Sequence, residues 1–204
     1  MSGLNVTLKV DKGQVAAVMK RLGDLSDQTP KAISTAINKT LPHLRTGIKN
    51  AAAKEILLPK NEILHTMKVI KASPKNISGR IYIHRKNIPL MRFKPRQTDA
   101  GVEVRVRTSG PTVIPHAFIA TMPTGHTGVF VRGQPGHREK RTKNGKTYTT
   151  QLPIKELRAP TVVDVLTEKP QTLQAVRDDA QAALNKNLDS QVDWLLSRGH
   201  AQSD

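Results

Sequence analysis

The chain of 204 residues contains no cysteine. That single absence excludes disulfides, thiolate metal sites and cysteine nucleophiles together. A reducing compartment suits such a chain, and an oxidising one is compatible with it. Aromatic residues are almost as scarce: three phenylalanines, two tyrosines and one tryptophan. With a mean hydropathy of −0.44, the expected core is aliphatic and modest, although the length suffices to bury one without covalent staples. No apolar run approaches the length of a membrane span, and Met1–Val10 lacks the apolar centre of a signal peptide. The expectation is a protein made soluble in the cytoplasm.

Acidic residues are also in short supply, 16 against 33 lysines and arginines, for a net charge of +17. A polyanionic partner is the first reading, with nucleic acid the commonest polyanion; an acidic protein surface in an assembly is the other. The charge is uneven. Residues 1–79 carry +8, residues 80–158 carry +12 and residues 159–204 carry −3. A basic middle and an acidic tail suit head-to-tail contact between identical subunits as well as they suit DNA. Arg105 and Arg107 on one side, and Asp178, Asp179, Asp189 and Asp193 on the other, are candidate subunit contacts.

Catalytic vocabulary is missing too. The seven histidines include His116 and His126, ten residues apart, with no second pair at zinc-like spacing and no HExxH. No GxSxG, GxxxxGK[ST] or GxGxxG occurs. Only Asp99, Glu103, Glu139 and Glu156 lie between residues 80 and 158, too few for a nuclease cluster. Asp189 and Asp193 stand four apart, which on an amphipathic helix marks a solvated face. The sequence therefore argues against an enzyme, a metal site or a cofactor.

What is present is periodic. "LNVTLKV" (4–10) alternates as a half-buried strand. "DKGQVAAVMKRLGDL" follows with Val15, Val18, Met19, Leu22 and Leu25 at helical spacing and Asp11 as N-cap. Thr29-Pro30 opens a second helix with the stripe Ile33, Ile37, Leu41, Leu44, Ile48, Ala52 and Ile56. Lys31, Lys39, Arg45 and Lys49 lie largely off that stripe, and Pro42 is expected to kink or split the helix. "PKNEILHTMKVIKAS" (59–73) reads as a shorter helix burying Ile63, Met67 and Ile70. From about residue 77 the period becomes two, as in "GVEVRVR", which buries Val102, Val104 and Val106 and turns Glu103, Arg105 and Arg107 outward. Pro170 starts a long helix with the stripe Leu173, Val176, Ala180, Leu184, Leu188, Val192 and Leu195; the residues after Gly199 are expected to fray. The order implies an α+β fold, a mostly antiparallel sheet packed against N-terminal helices and a long C-terminal helix, with residues 1–204 as one domain.

Residues 133–150 have no apolar pattern and read as an exposed basic loop or hairpin, with Asn144-Gly145 as a tight turn at its tip. Arg138, Lys140, Arg141, Lys143 and Lys146 fall within nine residues there. They suit phosphate contact without sequence readout, or contact with a neighbouring subunit.

Four stretches carry a family resemblance: "AISTAINKT" (32–40), "IPLMRFKPRQTDAGVEVRV" (88–106), "HAFIATMPTGHTGVFVR" (116–132) and "LPIKELRAPTV" (152–162). In that order they resemble the minor tail protein Z family of tailed phages and prophages, over roughly residues 30–200. The resemblance implies a virion protein with a terminator-like α+β fold, completing the tail at its head-proximal neck. It implies a ring, a hexamer favoured over a trimer, around genomic DNA in the channel, with tail-tube, tail-terminator and head-connector proteins as neighbours. It implies no membrane partner, and the host cytoplasm as the place of assembly. A basic DNA-binding module acting on its own is the alternative. On this reading residues 114–133 are scaffolding: glycines and Pro123 turn one strand into the next, Phe118, Ile119, Val129 and Phe130 pack, and His116 and His126 are structural.

Overall fold

The computed structural model describes residues 3–133, 140–149 and 154–200. In chain order the elements begin with β1 (Leu4–Lys9), α1 (Lys12–Leu22), α2 (Thr29–Glu55), α3 (Lys60–His65), β2 (Met67–Ile70) and β3 (Ser78–Ile83). Then come β4 (Ile88–Pro89), β5 (Arg96–Thr98), β6 (Gly101–Arg107), β7 (Gly110–Pro115), β8 (Ala117–Thr121) and β9 (Thr127–Arg132). The chain continues through β10 (Lys140–Lys143), β11 (Lys146–Thr149), β12 (Ile154–Glu156) and β13 (Arg158–Ala159) into α4 (Val162–Glu168) and α5 (Pro170–His200). The architecture is α+β, and every described strand pairing is antiparallel. Among the described residues the strands form five small sheets. Two compact units result: Met1–Ala53 with Pro59–Lys86 and Val162–Asp204, and Lys54–Leu58 with Asn87–Thr161.

In the first unit the sheet runs β1-β3-β2. Val6, Leu8, Ile81 and Ile83 are buried, as the alternation of "LNVTLKV" requires. Asp11 caps α1 in a complete capping box: its carboxylate accepts from the Gln14 N–H at 2.7 Å while the Gln14 side chain accepts from the Asp11 N–H. Only Val18 and Leu22 of α1 are buried, however, and Met19 is 47% exposed. Gly23, at φ +53, ends the helix, so Leu25 falls in a 3-10 segment and outside the predicted stripe.

Helix α2 buries Ile33, Ile37, Leu41, Leu44, Ile48 and Ala52 almost completely. It does not split at Pro42: the chain stays helical from Thr29 to Glu55. The proline ring sits on the exposed side, while the buried stripe continues on both sides of it and holds the two halves as one rod. The last predicted member of the stripe, Ile56, lies beyond the helix and belongs with Arg107, to which it bridges, to the second unit.

The helix expected over 59–73 ends at His65. Met67–Ile70 is a strand, paired with β3 from Met67↔Ile83 to Ile70↔Arg80. The window holds apolar residues at Ile63, Leu64, Met67, Val69 and Ile70, which leaves its period ambiguous, and an available strand edge decided between helix and strand. At the other end of the chain, α5 starts at Pro170 as expected. It buries Leu173, Ala180, Leu184, Leu188 and Val192, while Val176 and Leu195 are half-buried. Of the residues after Gly199 expected to fray, His200 still belongs to α5, and 201–204 lie outside the described residues.

The second unit contains the sheets β5-β6-β7 and β12-β9-β8 with two short pairings. Its core includes Leu90, Phe93, Val102, Val104, Ala117, Val129 and Phe130. Residues 114–133 run from the end of β7 through β8 into β9. His116 makes the first turn at φ +59, and the second is closed by N–H bonds from Met122 to His126 O and from Gly125 to Met122 O, both 2.8 Å. Val129 and Phe130 are buried and Phe118 and Ile119 half-buried.

Candidate interaction surfaces

The basic stretch forms a hairpin. Strands β10 and β11 pair from Lys140↔Thr149 to Lys143↔Lys146, and Asn144 and Gly145 turn between them at φ +52 and +73. Two consecutive positive φ angles define the mirror-image turn whose twist matches paired strands, which is why Asn-Gly occupies it. Lys146 is exposed, and the hydroxyls of Thr142 and Thr147 meet across the strands at 3.1 Å. The register sets Lys143 opposite Lys146. Arg138 lies outside the described residues.

On β6 the alternation fails at its end. Val102 and Val104 are buried and Arg105 is exposed, but the register shifts between Val104 and Arg107, so Val106 is only half-buried instead of buried. Arg107 is half-buried as well, not turned outward. The reason is a second set of partners: Val106 O accepts from Leu57 N–H at 2.9 Å, Thr108 N–H reaches Glu55 O, and Thr108 Oγ1 donates to Lys54 O. Of the two arginines, Arg105 is the one in solvent.

Helix α5 uses most of its aspartates within the first unit. Arg21 of α1 binds Asp189 and, at 3.0 Å, Asp193. The hydrogen bond that Arg21 donates to Asp189 is the main cause that raises the Arg21 pKa above its ordinary value. Asp179 lies 2.7 Å from His43 Nε2. Asp178 accepts from Gln174 on the same helix at 2.8 Å. The i,i+4 pair Asp189/Asp193 is therefore a clamp on one arginine.

His116 and His126 do not form a metal cluster; among the described residues no three His, Asp or Glu side chains gather around one point. His126 Nε2 instead meets Glu156 Oε1 at 2.9 Å, and the other oxygen of Glu156 accepts from Arg158 at 3.4 Å. Gln97 has a comparable positioning role. Its amide nitrogen donates to Gly101 O at 3.1 Å and its oxygen accepts from Ile119 N–H at 2.9 Å, tying the β5–β6 turn to β8. No described helix is long and apolar enough to cross a membrane.

A family model described as prophage minor tail protein Z (GPZ) matches residues 12–198. No curated protein and no solved structure matches the chain.

Proposed function

The chain belongs to the prophage minor tail protein Z family, a family of structural proteins of the phage tail, and on that premise we propose that it completes the tail at its head-proximal end. There it makes the neck competent to join a DNA-filled head. The observation that carries this reading beyond the family is the β10–β11 hairpin, where the register sets two lysines opposite each other at an Asn-Gly tip. Such a tip gains from meeting an anion, and a nucleic-acid backbone in a channel is one that needs no sequence readout.

Closure around a channel requires heterologous contacts between copies, and the family resemblance implies a sixfold ring rather than a threefold one. The exposed Arg105 suits such a contact. Asp178, which has no cation beside it among the described residues, suits it better than the aspartates held by Arg21 and His43. Neighbours in the neck would be the tail terminator or tube and the head connector.

Electron microscopy of particles made without the protein tests the proposal. Accumulation of filled heads beside separate tails is the expected result, and joined particles of normal form would refute it. The net charge of +17 favours one second reading, a basic module that binds DNA as a small free unit. Its mark is tight DNA binding by a monomer with no defect in head–tail joining.

A further inference from the structure

Along α2, Asn38, Leu41, Pro42, Arg45 and Lys49 share one side, because spacings of three, four, seven and eleven residues return to the same face of a helix. Leu64 at the end of α3 and Val69 of β2 line the opposite wall of a cavity of about 350 Å³, and Lys71 stands at its rim. All of these residues belong to the first unit. The cavity is apolar inside, with Leu64 and Val69 only half-buried, and it is lined by three cations and no carboxylate.

Arg45 is the telling residue. One terminal nitrogen donates to Leu64 O at a long 3.3 Å, while its Nε is buried and has no acceptor. A buried charged donor without a partner is costly, and the cost is relieved when the guanidinium turns toward an acceptor in the cavity. The Nε edge of a guanidinium presents two parallel N–H groups, the geometry that receives a carboxylate. The side-chain amide of Asn38 is engaged elsewhere, both its atoms being bonded to Ala72.

We propose that this cavity docks an acidic segment of a partner protein. One apolar side chain of the segment fills the space between Leu41, Leu64 and Val69, and the carboxylates flanking it reach Arg45, Lys49 and Lys71. A nucleic-acid backbone would satisfy the cations but leave the apolar wall wet, so the combination selects a peptide. The inference rests on the cavity alone and stands whether or not the protein acts at the neck.

The test uses the full chain and a fluorescein-labelled heptapeptide, Glu-Ser-Glu-Phe-Glu-Ser-Glu, followed by anisotropy. Binding is expected to weaken at least about tenfold when the peptide's phenylalanine becomes serine, when its glutamates become glutamine, and with Arg45→Met. Lys71→Glu, at an exposed position where folding is insensitive, should weaken it too and keeps the test decisive if Arg45→Met misfolds. Three results would overturn the proposal: no binding at millimolar peptide, equal binding of the serine peptide, or full competition by a DNA duplex whose own affinity falls equally with Lys71→Glu.

Discussion

Asn38 and Ala72 exchange two hydrogen bonds: the Asn38 amide donates to Ala72 O at 3.0 Å and accepts from Ala72 N–H at 2.8 Å. A helical side chain thereby acts as one more strand edge for the segment that leaves β2. Ala72 is buried, so its backbone groups have no water to fall back on. Asn38→Ala should destabilise the protein by about 2 kcal/mol, because it orphans a buried donor and acceptor together. Urea unfolding of the variant checks this, and an unchanged midpoint would show that the pair contributes nothing.

Gly79 of β3 lies against α2 so closely that a Cβ there would come 2.5 Å from Ile37 Cγ2 and 3.2 Å from Leu41 Cδ1. Both neighbours are fully buried and cannot swing away. Gly79→Ala is expected to cost about 1–3 kcal/mol through overpacking. A thermal melt gives the measurement, with Gly110→Ala, where nothing crowds the site, as a comparison for backbone strain alone.

Leu188 is buried in the stripe of α5. Leu188→Asp puts an unpaired carboxylate in that place and should abolish soluble folding, at a cost of about 4 kcal/mol. Soluble yield and circular dichroism report the result; wild-type stability would mean that the helix buries another face.

The Arg21 clamp makes the opposite prediction. Its side chain is 43% exposed, so Arg21→Ala should cost no more than about 1 kcal/mol, and less at high salt. The pKa of Arg21 is raised, so its contribution is fully present below the unfolded value and disappears only as pH rises through the higher folded one. The difference between variant and wild type should therefore stay flat from about pH 6 to pH 9. Denaturation at several pH values measures it.

For the hairpin, changing Arg138, Lys140, Arg141, Lys143 and Lys146 to Gln should lower the log–log salt slope of DNA binding by up to about 4.5, at ~0.9 for each phosphate no longer neutralised. Folding should survive, since an exposed hairpin adds little to a core. A variant with the wild-type salt slope whose tails fail to join heads would assign these cations to a neighbouring protein. No change in either property would leave them as a solvated surface.

Features whose cause lies within a few residues were legible in the sequence alone. The Asp11 N-cap, the stripes of α2 and α5 and the Asn144-Gly145 turn each depend on local spacing, and a helix face or a turn is closed by neighbours in the chain. The tertiary structure decided whatever needs a distant partner. Residues 67–70 became a strand because β3 offered an edge, and Val106 left its alternation because Leu57 took its carbonyl. Arg21 found Asp189 and Asp193, His126 found Glu156, and Asn38 found Ala72. Arg45 and Lys49 read in the sequence as charges off the stripe of α2, with nothing to link them to Lys71. Only packing brought them around one apolar cavity, because a side chain's charge is written in the sequence but the surface it will face is not.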